Sequence, residues 1–371
     1  MFLGRFGSIV PTNPYPAANK ARAAAMKAGA QVVVLITHMG VTGVDPVSGA
    51  PVGPLVDLAN NVGGFDVIFG DHTDVQFQGV INDQLVLENR SRGLTYARTT
   101  LTVDPGSGRL TSRSTQFVTP VSANVTPDPA ILSMLEPFRT ELSAILDEPI
   151  GVATALFPRG NAFERSGESA LGDLLADAMR LRYGTQLALT NGGGIRRSLP
   201  ADNYLPDDTT LRRLAPPYVI GPPFDLVKGD VQTVLPFGNL AVTRTVTGAQ
   251  LWAALENGVS QINLANTPIG ADGRFPQISG FRFKYDATKP AGSRVWEVTL
   301  ADGTPIPNSA ASSYSFATND FVNTGGDFYS VLADGQGVSR EILADVLREH
   351  IVGAATVTPS TDGRITQAPA P

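Results

Sequence analysis

Thr190-Asn191-Gly192-Gly193-Gly194-Ile195-Arg196 sets two polar recognition groups on a backbone almost bare of side chains. It follows the apolar run Leu187-Ala188-Leu189. It therefore reads as a loop opening at a strand end, where α/β proteins place their sites. Glycine permits positive φ and close approach of a ligand. Asn191 both donates and accepts, and Arg196 carries a planar fork suited to carboxylate or phosphate. Taken alone, the same residues equally describe a tight turn followed by a surface arginine.

Working outward, Arg165-Ser166-Gly167-Glu168-Ser169 precedes a helix whose Leu171, Leu174, Leu175, Ala178 and Met179 form one apolar stripe. Downstream, Val234-Leu235-Pro236-Phe237-Gly238-Asn239 leads into a strand at 240–246. Thr247-Gly248-Ala249-Gln250 then reads as a capping box opening the next helix, with Leu251, Trp252 and Leu255 inward. Phe281, Phe283 and Tyr285 alternate with polar residues as a half-buried strand, and runs at 295–300 and 314–318 complete the sheet. Ala317-Thr318-Asn319-Asp320-Phe321-Val322-Asn323-Thr324-Gly325-Gly326-Asp327 closes the set. A proline-rich excursion at 198–228 reads as an insertion near the loop, and residues 358–371 as a frayed tail.

The first third alternates strands and helices. Residues 17–29 read as a helix with a glycine C-cap, and 31–36 and 65–69 as buried parallel strands. Strands at 85–87 and 97–103 follow. Asp128-Pro129 starts a helix carrying Ile131, Leu135, Phe138, Leu142 and Ile145, which Pro137 should kink or delay. Two of the chain's three histidines follow these strands: His38 in Thr37-His38-Met39-Gly40, and His72 in Gly70-Asp71-His72-Thr73-Asp74. Strand-end imidazoles beside a carboxylate suit a divalent transition metal, and equally suit two histidines hydrogen-bonded at a sheet end. His350 reads as a dipole partner near a helix C-terminus.

Composition bounds the alternatives. The 371 residues are 42% hydrophobic and 17% charged, as in a folded chain long enough for two domains. A net charge of −6 leaves no basic stripe for a nucleic-acid polymer. Cysteine is absent, which removes disulfides and thiolate metal sites. Met1 to Val10 is too short and glycine-interrupted for a signal peptide, and no apolar run approaches the roughly 20 residues of a membrane span.

In order and spacing, the segments around Arg165, Asn191, Phe237 and Phe321 closely resemble the C-terminal substrate-binding domain of the 5′-nucleotidase family, secreted or surface-attached nucleotide phosphohydrolases. The resemblance spans roughly residues 150–365. It implies that Arg165, Asn191 and Arg196 contact the phosphate or ribose side of a nucleotide. Phe237 and Phe321 would sandwich the base, and Asp327 would accept from ribose hydroxyls.

The histidine segments resemble the later metal motifs of the calcineurin-like metallophosphoesterase domain that precedes it. The resemblance makes His38 and His72 metal ligands, with Asp74 where histidine or glutamine is usual and Asp71 in place of glycine. That domain's Asp-x-His, Gly-Asp and Gly-Asn-His motifs have no counterpart before His38, so no catalytic residue is identified. The implied organisation is a partial metallophosphoesterase sandwich at 1–125, an interdomain helix at 126–148, the substrate-binding domain at 149–365 and a tail at 366–371. The implied function is hydrolysis of nucleotide phosphoesters with two divalent ions (zinc, manganese or similar), by an N-terminally truncated chain whose site is incomplete. The alternative is a nucleotide-binding protein without catalysis.

Overall fold

β-Branched runs build the sheet of the first unit. The computed structural model describes residues 12–45, 47–91, 93–121, 125–262, 264 and 272–371; residues 1–10, read above for a leader, lie outside these. The chain divides into two units, Met1–Leu132 and Ser133–Pro371. In the first, strands Val34–Ile36, Val67–Gly70 and Gln84–Glu88 run parallel in that order, with Phe77–Ile81 antiparallel beyond them. Helices α1 (Pro14–Lys27) and α2 (Pro54–Asn61) belong to the core on one face, where Leu55, Leu58, Ile68 and Val86 are buried. On the other, Leu101 and Phe117 of the hairpin Tyr96–Val103/Leu110–Val118 pack on Val67, Leu85 and Leu87.

Three expectations change here, the last at Pro137. The first helix starts at Pro14, because Asn13 caps it by accepting from Tyr15 N at 2.9 Å and two prolines fit its first turn. The strand read as buried at 31–36 is a three-residue edge strand, and Ile36 is 80% exposed. A continuous apolar run gives no information about which strand is outermost. Helix α3 (Pro129–Leu146) runs through Pro137 without interruption and starts on Asp128, whose carboxylate accepts from Ala130 N at 2.8 Å. None of its residues is buried, so the stripe from Ile131 to Ile145 is exposed.

The second unit is built on a five-stranded sheet, in the order Pro276–Ser279, Leu187–Asn191, Ser313–Asn319, Leu240–Thr247, Val338–Ile342. Side chains alternate across it. Ala188, Ala241 and Ala317 face the cluster that includes α4 (Ala170–Tyr183) and α8 (Leu343–Ala354). Leu187, Leu189, Val246 and Phe316 face the cluster containing α6 (Gly248–Val259). Leu171, Leu175 and Met179 of α4 are at most 1% exposed, each burial being worth about 1.5–3 kcal/mol. The capping box holds: Thr247 Oγ1 accepts from Gln250 N at 3.2 Å, and Gln250 Oε1 accepts from Thr247 N at 3.0 Å. Short helices α5 (Lys228–Val234) and α7 (Asp320–Asn323) follow strand ends in this unit.

Phe281–Tyr285 and Val295–Leu300 do not join this sheet. They form a separate three-stranded one with Ile365–Gln367, which pairs parallel to Phe281–Tyr285. The tail is therefore structured: Ala368 N donates to Tyr285 O at 2.9 Å, and Trp296 Nε1 donates to Ala368 O at 3.0 Å. Sequence periodicity missed this strand because it is only three residues long and gains its stability from its partners. The proline-rich insertion is anchored by Arg213, 3% exposed, whose guanidinium meets the fully buried Asp230 at 2.6 and 2.7 Å.

Candidate functional site

In the first unit the parallel strands end at Ile36, Gly70 and Glu88. The loops leaving them line one cavity of about 740 Å³ with His38, Asp71, His72, Asp74 and Asn89. His38 Nε2 and His72 Nδ1 lie 3.0 Å apart, and Asp71 Oδ2 is 3.2 Å from His38 Nδ1. Two nitrogens bound to one metal at about 2.0–2.1 Å span a gap of this size, and a carboxylate on the opposite nitrogen is the usual orienting partner. Asn89 Oδ1, buried and without a hydrogen-bond partner, adds a polar atom at the cavity. His72 (φ 101°) and Asp74 (φ 61°) hold left-handed backbone, a strain that clusters at functional sites.

Beneath these loops sits Glu88, 1% exposed. Its Oε2 accepts from Val41 N at 2.6 Å, and its Oε1 accepts from Thr73 N at 2.9 Å and Thr73 Oγ1 at 2.6 Å. One buried carboxylate thus ties the His38 loop to the His72 loop. The signal the sequence offers for it is a glutamate ending an apolar strand. Asp74 lines the cavity but does not complete a tight donor trio. Among the described residues the trio with donor atoms within 4.8 Å of one another is Glu168, Asp173 and Asp362. That trio serves the fold: both Glu168 oxygens accept backbone N–H groups, of Asp362, Gly363 and Ile365, at 2.8–3.0 Å.

In the second unit the glycine loop is pinned from both sides. Gly192 N donates to Phe275 O and Gly193 N to Gly273 O, each at 2.8 Å, and Arg196 N donates to Val234 O at 2.8 Å. A Cβ at Gly192 would collide with the Glu164 carbonyl oxygen, so glycine is needed here for close approach. Around the loop the structure gathers most of the expected residues. Asn191 Nδ2 donates to Asp327 Oδ2 at 2.7 Å. The Arg196 guanidinium lies 5.4 Å from the centre of the Phe237 ring, in cation–π range. Phe237 is 61% exposed, whereas Phe321 is half-buried and packs on the core cluster beneath it. Asp327 and Phe328 are both left-handed, at φ 49° and 63°.

Arg165 reaches this loop through Glu164. Glu164 is 1% exposed, its carboxylate 3.1 Å from Arg159 Nε and 4.0 Å from Arg165 Nε, and the latter nitrogen is buried without a hydrogen-bond partner. Burial raises the Glu164 carboxyl above its ordinary range, opposed by backbone hydrogen bonds and the two arginines. Burial likewise raises Asp327, against the hydrogen bond from Asn191. Sequence reasoning missed Glu164 and Asn319. Asn319, 3% exposed, donates to Thr190 Oγ1 at 2.9 Å and Asn191 Oδ1 at 3.2 Å. His350 is half-buried, and burial lowers its pKa.

Residues 149–334 match the family model described as 5′-nucleotidase, C-terminal domain. The chain is 28% identical over 327 residues to the trifunctional nucleotide phosphoesterase protein YfkN of Bacillus subtilis, covering 84% of this chain and 20% of that protein. It is 26% identical over 317 residues to the cell wall protein Lmo0130 of Listeria monocytogenes, covering 81% and 37%. A crystal structure of a 5′-nucleotidase precursor from Thermus thermophilus superposes with a TM-score of 0.71 at 27% identity, covering 97% of this chain and 68% of that one. The chain thus spans about a fifth to two fifths of the length of these curated relatives.

Proposed function

Because the chain belongs to the 5′-nucleotidase family through its C-terminal domain, we propose that its second unit binds nucleotides and that the protein serves hydrolysis of nucleotide phosphoesters. The observation that carries this reading is the convergence on one glycine loop of an Asn191–Asp327 pair and an Arg196–Phe237 pair. A carboxylate suits a vicinal diol, a guanidinium suits a phosphate, and an exposed ring suits a base, such stacking being worth about 1–3 kcal/mol. Arg165 adds a second cation on the phosphate side, and Phe321 the second ring.

For the first unit, His38 Nε2 and His72 Nδ1 fit as two ligands of a divalent ion, with Asp74 on the same cavity wall. When bound, such an ion activates water and polarises a phosphoryl oxygen. The protein's own part would be to orient the His38 imidazole, through the Asp71 carboxylate 3.2 Å from its Nδ1. Placement at the cell surface is part of this reading, supported by the likeness to a cell wall protein. Among the described residues no helix is long and apolar enough to cross a membrane.

Titration calorimetry tests the reading. The chain binds AMP and adenosine; Phe237→Ala weakens both, and Arg196→Ala weakens AMP far more than adenosine. If Phe237→Ala and Phe321→Ala both bind adenosine as the parent does, the pocket is wrongly assigned.

A further inference from the structure

Asn319 ends the central strand Ser313–Asn319 and its side chain points in three directions at once. Nδ2 donates to Thr190 Oγ1 and Asn191 Oδ1, while Oδ1 accepts from Val322 N at 2.8 Å and caps α7. Asn191, its oxygen so engaged, turns Nδ2 to Asp327 Oδ2. An amide has one donor end and one acceptor end, and an ionised carboxylate only accepts. The chain from Asn319 through Asn191 to Asp327 therefore runs one way. Turning Asn191 over would set its oxygen against the Asp327 carboxylate and its NH₂ against the NH₂ of Asn319. Both neighbours are satisfied by a single orientation.

We propose that Asn319 is a positioning residue for ribose recognition: by fixing the Asn191 amide it holds the Asp327 carboxylate in place to accept from a vicinal diol. Asp327 sits on left-handed backbone whose carbonyl accepts from Asn257 Nδ2 at 3.0 Å, so the main chain is held and the orientation of the carboxylate is left to Asn191. Its Oδ2 is occupied by Asn191, and among the described residues no hydrogen bond reaches Oδ1. The same Asn319 caps the helix that carries Phe321, so the ring and the carboxylate are set from one buried amide. The inference rests on the nucleoside reading of Asn191 and Asp327 given above.

Two variants and two ligands test it. Asn319→Asp keeps an acceptor for Val322 N and replaces the donors with oxygen, so every orientation of Asn191 leaves one acceptor facing another. Asn319→Ser keeps a cap acceptor without adding charge, and serves if the aspartate variant fails to fold. The probes are adenosine and 2′,3′-dideoxyadenosine, which lacks the diol. The parent should prefer adenosine by about tenfold or more, the worth of a well-placed polar contact. Either variant should bring that ratio to within about threefold of unity, chiefly by weakening adenosine. Equal weakening of both ligands, a purely structural effect, would overturn the inference, as would an unchanged ratio. A parent that binds neither ligand removes the nucleoside reading and this inference together. A parent that binds both equally removes the diol assignment alone.

Discussion

Gly192→Ala should be among the most damaging single-methyl changes in the second unit. The new Cβ would fall against the Glu164 carbonyl oxygen, 2.8 Å from the Glu164 carbonyl carbon and 3.3 Å from Phe275 O. These are backbone atoms, so no side-chain rotation relieves the contact. Phe275 is tied to the same glycine by its 2.8 Å hydrogen bond, and the Glu164 carboxylate accepts from Gly160 N at 2.9 Å. Overpacking of this kind costs about 1–3 kcal/mol, and loosening the Gly192 hydrogen bond adds about 1 kcal/mol. At about 2–4 °C per kcal/mol for a unit of this size, the melting temperature should fall by about 5–15 °C. Gly184→Ala is the control. Gly184 has φ 61° and open space around it, so that variant meets only left-handed strain of about 1 kcal/mol. Differential scanning calorimetry of both variants decides. A Gly192→Ala protein that melts at or above Gly184→Ala would refute the reasoning and leave the glycine loop a mere turn.

Three further outcomes follow from the same geometry. Asp230→Asn strands the buried Arg213 charge, which should lower stability by about 3–5 kcal/mol in urea unfolding; a loss under 1 kcal/mol would argue against a buried pair. Asp173 is pushed up to about 8 by burial and by Glu168, against Arg364, so in the folded state it holds its proton far above the usual range. Its contribution to stability is full below about pH 4 and is lost as pH rises towards 8. Asp173→Asn should therefore gain stability relative to the parent at pH 8 and not at pH 4, and a pH-independent difference would count against it. His38→Ala and His72→Ala should each weaken Zn²⁺ or Mn²⁺ binding by at least tenfold in calorimetry; undiminished affinity in both would remove the metal reading.

What was legible in the sequence followed from repetition and from chemistry that stays local. The stripe at Leu171–Met179, the alternation at Phe281–Tyr285 and the Thr247–Gln250 box each specify an element within one or two turns of chain. The placement of strands was less legible, because burial of Val34 and Ile36 depends on what lies beside them. The assignment of Phe281–Tyr285 to one continuous sheet failed for the same reason, as its third partner lies about 80 residues downstream. Of the candidate sites, the loop residues could be named because polar groups among glycines announce themselves. Glu164 and Asn319 could not, and Glu88 offered only its place at the end of an apolar strand. Each is buried, touches its partners across the fold, and in sequence looks like an ordinary strand end or loop residue.

The bridge made by Glu88 has a mechanical consequence. With one carboxylate bonded to Val41 and Thr73, the two histidine loops are a single stiff body rather than two hinges. If the imidazoles bind an ion as proposed, it would meet two loops already tied to each other, and ordering their backbone would cost little. The same stiffness works against accommodation: an ion preferring a wider nitrogen–nitrogen separation must deform both loops together. Selectivity among cations would then originate in a residue that never touches them.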